Sequence, residues 1–148
     1  LRKSIVPANI DNKVVLNQIY DISTKISKGL DLKGVLAVEM FVTKDNNIIV
    51  NEIAPRPHNS GHWTIEACDV SQFEQLVRVC MDLPLGNTLR NYNTEMLNII
   101  GEDFYEWKNF ISQPNSFLHL YGKKEIKSGR KMGHLTKIFP KNSKFTGA

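Results

Sequence analysis

Residues 34–55, "GVLAVEMFVTKDNNIIVNEIAP", constrain the fold of this chain more than any other stretch. Two apolar runs flank the turn-forming sequence "KDNN", and this pattern predicts a β-hairpin. A two-residue turn at Asp45-Asn46 places Phe41 opposite Val50 and Glu39 opposite Glu52. The hairpin therefore brings two carboxylates side by side within strands that are otherwise apolar.

The paired carboxylates need a physical reason, because like charges directly opposite on one face of a sheet are destabilising. Exposure of both groups to water, protonation of one, or a cation between them would relieve the repulsion. The apolar neighbours of Glu39 and Glu52 predict strands that are covered on both faces, which disfavours an exposed pair. Asn51 offers a further oxygen, and a hard cation such as Mg²⁺ suits carboxylates together with phosphate oxygens. We therefore predict a Mg²⁺ site at Glu39, Glu52 and Asn51.

The loop that follows, "NEIAPRPHNSGHWT" at residues 51–64, is rich in hydrogen-bonding groups. Its two prolines stiffen the backbone, so Arg56 and His58 extend from a rigid support. An arginine suits a phosphate or carboxylate, and a histidine can donate to an anion or move a proton. His58 and His62 also have the spacing of two zinc ligands on a helix, but the prolines and Gly61 disfavour a helix, and a third ligand is not evident.

Two helices are predicted beside the hairpin. Apolar residues at steps of four, three and four predict a helix over residues 11–28, capped by Asp11 and Gly29. The second helix begins after Ser71, which has capping-box spacing, and ends near Leu83 because a proline follows. Its apolar residues follow at helical intervals: Phe73, Leu76, Val77 and Cys80.

After residue 85 the sequence pattern changes from helical periodicity to short apolar segments separated by turns. The segments "TEMLNIIG", "SFLHLYG" and "GRKMGHLTKIF" have the character of short strands, and Gly, Pro and Asn turns separate them. We predict an α+β fold with two domains, residues 1–88 with mixed helices and strands and residues 89–148 as a small β-rich unit.

Composition narrows the class of protein. A chain of 148 residues with 41% hydrophobic and 23% charged residues is typical of a globular protein. No apolar run has the length of a membrane span, so no membrane partner is expected. Cys68 and Cys80 match no zinc spacing and are too few for a disulfide framework, which predicts buried thiols in the reducing cytoplasm.

The net charge of +4 leaves the partner open. Many of the basic residues follow residue 120. Three interpretations of this basic segment stay open: a solvated face, a phosphate site or a nucleic-acid surface. Aromatic residues are sparse among the basic residues, so stacking platforms for single-stranded nucleic acid are not evident.

The segment "GVLAVEMFVTKDNNIIVNEIAPRPHNSGHWTIEACDVSQFEQ" resembles the C-terminal half of the ATP-grasp domain of the N5-carboxyaminoimidazole ribonucleotide synthase family. "LHLYGKKEIKSGRKMGH" is similar to the C-terminal motif of that family, and "SIVPANI" also fits it. The similarity runs from about residue 4 to about residue 135, and several ordered motifs make it specific.

The resemblance implies an activity and its cofactors. In this family ATP phosphorylates bicarbonate to carboxyphosphate, and the amine of aminoimidazole ribonucleotide is then carboxylated in the cytoplasm during purine biosynthesis. Glu39 and Glu52 match the residues that hold Mg²⁺ against the ATP phosphates, and Asn51 matches a neighbouring ligand. A homodimer is implied, and a nucleic-acid partner is not.

The resemblance also implies which residues bind the ribonucleotide. Arg56 and His58 match the residues that line the ribonucleotide and carboxyphosphate site, and these two are the expected catalytic residues. The remaining expected substrate-binding residues are Asn59, Ser60, Lys123 and Arg130, of which the last two contact the 5′-phosphate.

The chain departs from the family in two ways. Ser128 stands where the family usually has proline. We expect this replacement of proline by serine to loosen the turn before Arg130. The N-terminal domain and the part of the ATP-grasp domain with the adenine pocket are missing, and the last domain looks truncated, so we expect little activity from the chain alone. The alternatives are another ATP-grasp carboxylate–amine ligase, a non-catalytic nucleotide-binding fragment and a basic module for RNA.

Overall fold

The computed structural model describes residues 1–142, which fold into helices and antiparallel strands. The strands are β1 (Lys3–Val6), β2 (Ala37–Val42), β3 (Ile48–Ala54), β4 (Tyr92–Ile100), β5 (Ser116–Leu120) and β6 (Lys131–Pro140). The α-helices are α1 (Lys13–Gly29), α2 (Thr64–Ala67), α3 (Gln72–Cys80) and α4 (Trp107–Ile111), and Asn59–Gly61 and Gly101–Glu106 are 3₁₀ helices. The predicted α+β class is confirmed.

The contacts divide the chain into two units that alternate along the sequence. Of the described residues, the hairpin unit contains 10–62 and 70–88, and the sheet unit contains 1–9, 63–69 and 89–142. The domain ranges 1–88 and 89–148 stay a prediction, and residues 143–148 lie outside the described part of the chain.

The hairpin unit is built from β2, β3, α1 and α3. Helix α1 contacts both strands and presents its predicted apolar face, on which Val15 is fully buried. Its N-cap is Asn12, whose side chain accepts hydrogen bonds from two backbone N–H groups, and its C-cap is Leu30. The predicted caps Asp11 and Gly29 are therefore each one residue early, a common error at helix ends because several polar residues compete for the cap.

Helix α3 differs from its prediction in what it buries. Ser71 is the N-cap, as predicted, and accepts a hydrogen bond from the backbone N–H of Glu74. The helix ends at Cys80 rather than near Leu83. Its buried residues are Gln72 and Gln75, whereas several apolar residues of the predicted face are exposed: Phe73, Val77 and Cys80.

The sheet unit has an antiparallel sheet of four strands in the order β1-β4-β6-β5. The three C-terminal strands occur where the sequence predicts them. Helix α2 packs on β4 and β6, and the core beneath it is formed by Ala67, Met96, Ile99, Met132 and Leu135. The prediction that both cysteines are buried is wrong: Cys80 is exposed and Cys68 is half-buried, although burial raises the pKa of the Cys68 thiol.

Within residues 1–142, no helix combines the length and apolar character that a membrane crossing requires.

Candidate functional site

The hairpin places Glu39 directly opposite Glu52, as the sequence predicts, but by a different route. The turn has three residues, because the Thr43 N–H donates to the Asn47 carbonyl and Asn46 has a positive φ of 60°. Phe41 consequently faces Ile49 and not Val50, so the two-residue turn and that pairing are wrong. The two carboxylates still meet because a β-bulge restores the register between them and the turn.

Asn51 is the extra residue of the bulge. Glu39 pairs with Glu52, whereas Met40 pairs with Val50, which leaves Asn51 without a partner across the hairpin. Bulges redirect side chains at functional positions. The Asn51 side-chain N–H points at Glu39 Oε2 at 3.4 Å, so Asn51 holds this carboxylate, and its predicted role as an oxygen ligand stays a prediction.

His58 joins the two carboxylates. Its Nε2 lies 3.5 Å from Glu39 Oε1 and 4.0 Å from Glu52 Oε1. One ligand atom from each of the three side chains lies within 4.8 Å of the others. The His58 side chain is 12% exposed, whereas those of Glu39 and Glu52 are 37% and 59% exposed. Two carboxylates that face water at this separation fit a divalent cation that prefers oxygen ligands.

The orientation of the His58 ring follows from its second nitrogen. The backbone N–H of Ser60 donates to His58 Nδ1 at 3.3 Å, and Ser60 Oγ lies 2.8 Å from the same atom. A backbone N–H can only donate, so Nδ1 accepts, and in the neutral ring the proton is on Nε2. His58 therefore presents a hydrogen-bond donor to the carboxylates.

The hairpin strands are more exposed than the sequence predicts. Phe41 is 60% exposed and Ile49 is 53% exposed, and other apolar residues of both strands also face solvent. The expectation of strands covered on both faces is therefore wrong for the described residues, although α1 contacts both strands and the first four residues of β2 are half-buried. Exposure to water consequently relieves part of the repulsion between Glu39 and Glu52.

The loop after the hairpin is held by short-range hydrogen bonds. The Arg56 N–H donates to the Ala54 carbonyl at 2.9 Å, and the exposed Arg56 guanidinium donates to the Pro57 carbonyl at 3.0 Å. Asn59 and Ser60 lie in the 3₁₀ helix that follows. Within residues 1–142, the group of side chains that could hold a metal ion consists of Glu39, Glu52 and His58, and His62 is not part of it.

Lys123 and Arg130 belong to the sheet unit, whereas the other predicted site residues belong to the hairpin unit. Lys123 Nζ donates to the Lys131 carbonyl at 2.6 Å, and Arg130 donates to the Glu125 carbonyl at 3.2 Å. The turn that contains Ser128 is closed by a hydrogen bond from the Arg130 N–H to the Lys127 carbonyl, and the expected loosening by serine in place of proline stays a prediction.

Sequence reasoning missed a group of side chains in the sheet unit. His119 Nε2 lies 2.6 Å from Glu66 Oε1, and the Glu66 side chain is only 7% exposed. The ring of His119 stacks on that of His134 with centroids 4.6 Å apart, and His134 Nδ1 lies 2.9 Å from the Tyr121 hydroxyl. Long-range strand pairing brings these residues together, and no local sequence pattern predicts it.

Sequence reasoning also missed that Gln72 holds the loop that contains His58. The Gln72 side chain contacts both the backbone N–H and the carbonyl of His58, whereas the sequence predicts only that Gln72 follows a helix cap. A capping box predicts where a helix begins, but not which side chain the helix turns inward.

Family models match both parts of the chain. The ATP-grasp domain matches residues 1–73, and the phosphoribosylaminoimidazole carboxylase C-terminal domain matches residues 94–146. An N5-carboxyaminoimidazole ribonucleotide synthase of Brucella melitensis is 47% identical over 141 residues, which are 95% of this chain and 39% of the relative. The chain therefore spans well under half of the length of this relative.

Solved structures show the same relation. The chain is similar to a carboxyaminoimidazole ribonucleotide synthase of Aspergillus clavatus complexed with ATP, with a TM-score of 0.89, 38% identity, and coverage of 94% of this chain and 38% of that chain. A structure from the same organism, in complex with ADP and 5-aminoimidazole ribonucleotide, has a TM-score of 0.87, 38% identity, and coverage of 94% and 39%. The chain thus belongs to the N5-carboxyaminoimidazole ribonucleotide synthase family of ATP-grasp proteins, of which it matches the C-terminal part.

Proposed function

We propose that this chain supplies the metal-binding and part of the ribonucleotide-binding residues of an ATP-dependent ligase. The ligase carboxylates 5-aminoimidazole ribonucleotide with bicarbonate to give N5-carboxyaminoimidazole ribonucleotide, ADP and phosphate. The observation that carries this proposal is the pairing of Glu39 with Glu52 across the hairpin, with His58 beside both carboxylates. The relatives described above bind ATP, ADP and the ribonucleotide, which supports the same ligands for this chain.

Glu39 and Glu52 are the residues that would hold Mg²⁺, and Asn51 would keep Glu39 in place or join as a ligand. When bound, the metal ion supplies positive charge that offsets the repulsion between the ATP phosphates and an anionic nucleophile. The two carboxylates are open to water on the exposed hairpin, so they can be reached by a nucleotide that brings its own phosphate ligands.

Arg56 and His58 would orient the anionic substrates. The Arg56 guanidinium is exposed and its remaining N–H groups can form a bidentate contact with a carboxylate or phosphate. His58 presents its Nε2 proton toward the carboxylate pair, so it can donate to an anion that approaches Glu39 and Glu52. Asn59 and Ser60 follow in the same loop and would add neutral donors.

Lys123 and Arg130 would bind the 5′-phosphate of the ribonucleotide. Each uses one donor on a backbone carbonyl, which fixes the side chain and leaves further N–H groups for a phosphate. A homodimer and a cytoplasmic location also belong to this proposal, since the resemblance to the family implies them.

A chimera tests the proposal. The 148 residues would replace the matching part of the Brucella melitensis relative, which is 47% identical over 141 residues. We expect release of ADP that requires ribonucleotide, bicarbonate and Mg²⁺, with the carboxylated ribonucleotide as product. Glu52→Ala should lower kcat at least about 100-fold, because loss of metal-based charge stabilisation raises the barrier by roughly 3 kcal/mol.

The control is Glu102→Ala, which removes an exposed carboxylate outside the hairpin. A chimera that keeps its full rate with Glu52→Ala, or that makes a different product, would refute the proposal. The 148-residue chain alone should release little ADP, because it spans only part of the length of its relatives.

A further inference from the structure

Gln72 holds the backbone of His58 on both sides. The His58 N–H donates to Gln72 Oε1 at 2.9 Å, and Gln72 Nε2 donates to the His58 carbonyl at 2.8 Å. Gln72 is 9% exposed and lies at the first position of α3, directly after the N-cap Ser71. A glutamine on a rigid helix thus forms a two-bond clamp on the residue that faces the carboxylate pair.

The same amide also reaches His62. Gln72 Nε2 lies 2.9 Å from His62 Nδ1. The orientation of the amide is fixed, because a backbone N–H must meet the oxygen and a backbone carbonyl must meet the nitrogen. The second N–H of Gln72 therefore donates to His62 Nδ1, and the ring of His62 packs on Phe73 with centroids 5.2 Å apart.

Gly61 leaves the space that this clamp needs. A Cβ at Gly61 would lie 2.7 Å from Gln72 Oε1 and 3.0 Å from Gln72 Cδ. These distances are shorter than van der Waals contact, so any side chain at position 61 must displace the Gln72 amide. The loop and the helix are therefore matched to each other at this point.

We propose that Gln72 is a positioning residue, which sets the place and the tautomer of the His58 imidazole beside Glu39 and Glu52. The clamp fixes the backbone at His58, so the ring keeps Nδ1 on the Ser60 N–H and directs the Nε2 proton to the carboxylates. The contribution to turnover rests on the proposed function, whereas the effect on the ring is a property of this chain alone.

Gln75 provides a matched control. It is 8% exposed and lies one turn further along α3. Its side chain forms the same kind of two-bond clamp on Gly86. Its Nε2 donates to the Gly86 carbonyl at 2.7 Å, and its Oε1 accepts from the Gly86 N–H at 3.1 Å. Gln75→Glu and Gln72→Glu thus each place a carboxylate at a buried position of the same helix and each break a two-bond clamp, and Gln72→Glu also removes the donor to His62. Only the second change touches the loop that carries His58.

The experiment is NMR of the 148-residue chain with ¹⁵N-labelled histidine, in which the two imidazole nitrogens of His58 report the tautomer. We expect the wild type and Gln75→Glu to show an unprotonated Nδ1 and a protonated Nε2. At a pH at which the ring is neutral in all three proteins, the two nitrogen shifts in Gln72→Glu should move toward each other, because the ring is released to sample both tautomers. An unchanged His58 pattern in folded Gln72→Glu, or an equal change in Gln75→Glu, would overturn the inference.

A second variant covers the case in which Gln72→Glu does not fold. Gly61→Ala displaces the Gln72 amide from the loop side and buries no charge, so it should change the His58 shifts in the same way. A folded Gly61→Ala protein with the wild-type His58 pattern would also overturn the inference.

Two further measurements separate this inference from the proposed function. In the chimera, Gln72→Glu should lower kcat about tenfold to 100-fold with the KM for ATP unchanged, since a misplaced catalytic group slows the reaction without loss of nucleotide binding. Mn²⁺ binding by the chain should be unchanged in Gln72→Glu and weakened in Glu52→Ala. If Glu52→Ala binds Mn²⁺ as tightly as the wild type, the proposed metal site is refuted, and the inference about Gln72 is then judged by the NMR of His58 alone. If Gln72→Glu leaves kcat of the chimera unchanged, the contribution of Gln72 to turnover is refuted.

Discussion

Glu52→Gln should stabilise the hairpin unit in the absence of metal, although most substitutions destabilise a protein. The carboxylate oxygens of Glu39 and Glu52 lie no more than 4.8 Å apart. Two unit charges at this distance repel by about 0.9 kcal/mol in water, and physiological salt screens roughly half of that. The dielectric of water is the appropriate value because the Glu52 side chain is 59% exposed and the Glu39 side chain is 37% exposed. Removal of one charge should therefore raise the free energy of unfolding by about 0.5 to 1 kcal/mol.

Mg²⁺ should reverse the order of stability of the wild type and Glu52→Gln. At ten times its dissociation constant, a ligand that binds only the folded state stabilises that state by about 1.4 kcal/mol. The wild type should gain this amount, and Glu52→Gln should not, because one carboxylate is a poor Mg²⁺ site. The variant is thus more stable without metal and less stable with it.

The assay is urea unfolding followed by the NMR signals of α1 and β3, which report the hairpin unit itself. Measurements at low salt and in 1 M NaCl should show that the gain without metal shrinks as screening increases. Asp21→Asn is the control, because it makes the same chemical change at an exposed position of α1. A Glu52→Gln protein that is less stable than the wild type without metal, or an order that Mg²⁺ does not reverse, would refute the reasoning.

Three further predictions concern the sheet unit. Asp103→Asn should cost up to about 1 kcal/mol at neutral pH, because the Arg2 guanidinium holds the pKa of the Asp103 carboxyl below its usual range across a largely solvent-screened ion pair. A lowered folded-state pKa contributes stability that is fully present above the unfolded pKa of about 3.9 and is lost as the pH falls through the lowered folded-state pKa. The difference from wild type in urea unfolding should vanish below that folded-state pKa, and a constant difference would contradict it. Gly133→Ala should cost about 1 to 3 kcal/mol by tryptophan-monitored unfolding, because its Cβ would lie 2.2 Å from the His119 carbonyl oxygen, and a neutral effect would contradict the strand spacing. Arg130→Gln in the chimera should raise the KM for the ribonucleotide about tenfold and leave the KM for ATP unchanged, since one charged hydrogen bond to phosphate is lost, and equal changes in both constants would contradict this role.

The pairing of Glu39 with Glu52 is predicted correctly, although the turn is predicted one residue too short, because a bulge cancels that error. The sequence predicts the hairpin because apolar runs and turn residues are local properties. It does not separate a two-residue turn from a three-residue turn at Asp45-Asn46, since both use the same residues. The shift of one residue at the turn is cancelled by the bulge at Asn51, so Glu39 faces Glu52 in either case.

Helix α3 shows what a pattern of polarity leaves out. The N-cap Ser71 is predicted from the residues beside it, because capping is a local hydrogen bond. The burial of Gln72 and Gln75 depends instead on backbone groups of distant loops, at His58 and Gly86. A buried amide is stable where it has partners, and the sequence does not reveal those partners.

The exposed hairpin has a similar origin. Apolar residues such as Phe41 and Ile49 predict a covered strand, but the composition of a strand does not say which residues cover it. The cluster of Glu66, His119 and His134 likewise depends on the pairing of β5 with β6 and on the packing of α2. Local elements of this chain are thus predictable, whereas contacts between distant elements are not.

The central claim is that Glu39 and Glu52 share a divalent cation. The most direct measurement is paramagnetic broadening of the amide signals of the ¹⁵N-labelled chain by Mn²⁺, an ion that prefers the same oxygen ligands as Mg²⁺. We predict saturable broadening centred on Glu39 and Glu52, with a dissociation constant of about 1 mM, as expected for few charged ligands on an exposed site. Glu39→Gln together with Glu52→Gln should abolish it. Broadening that is spread over all acidic residues, or that persists at the hairpin in the double variant, would contradict the claim.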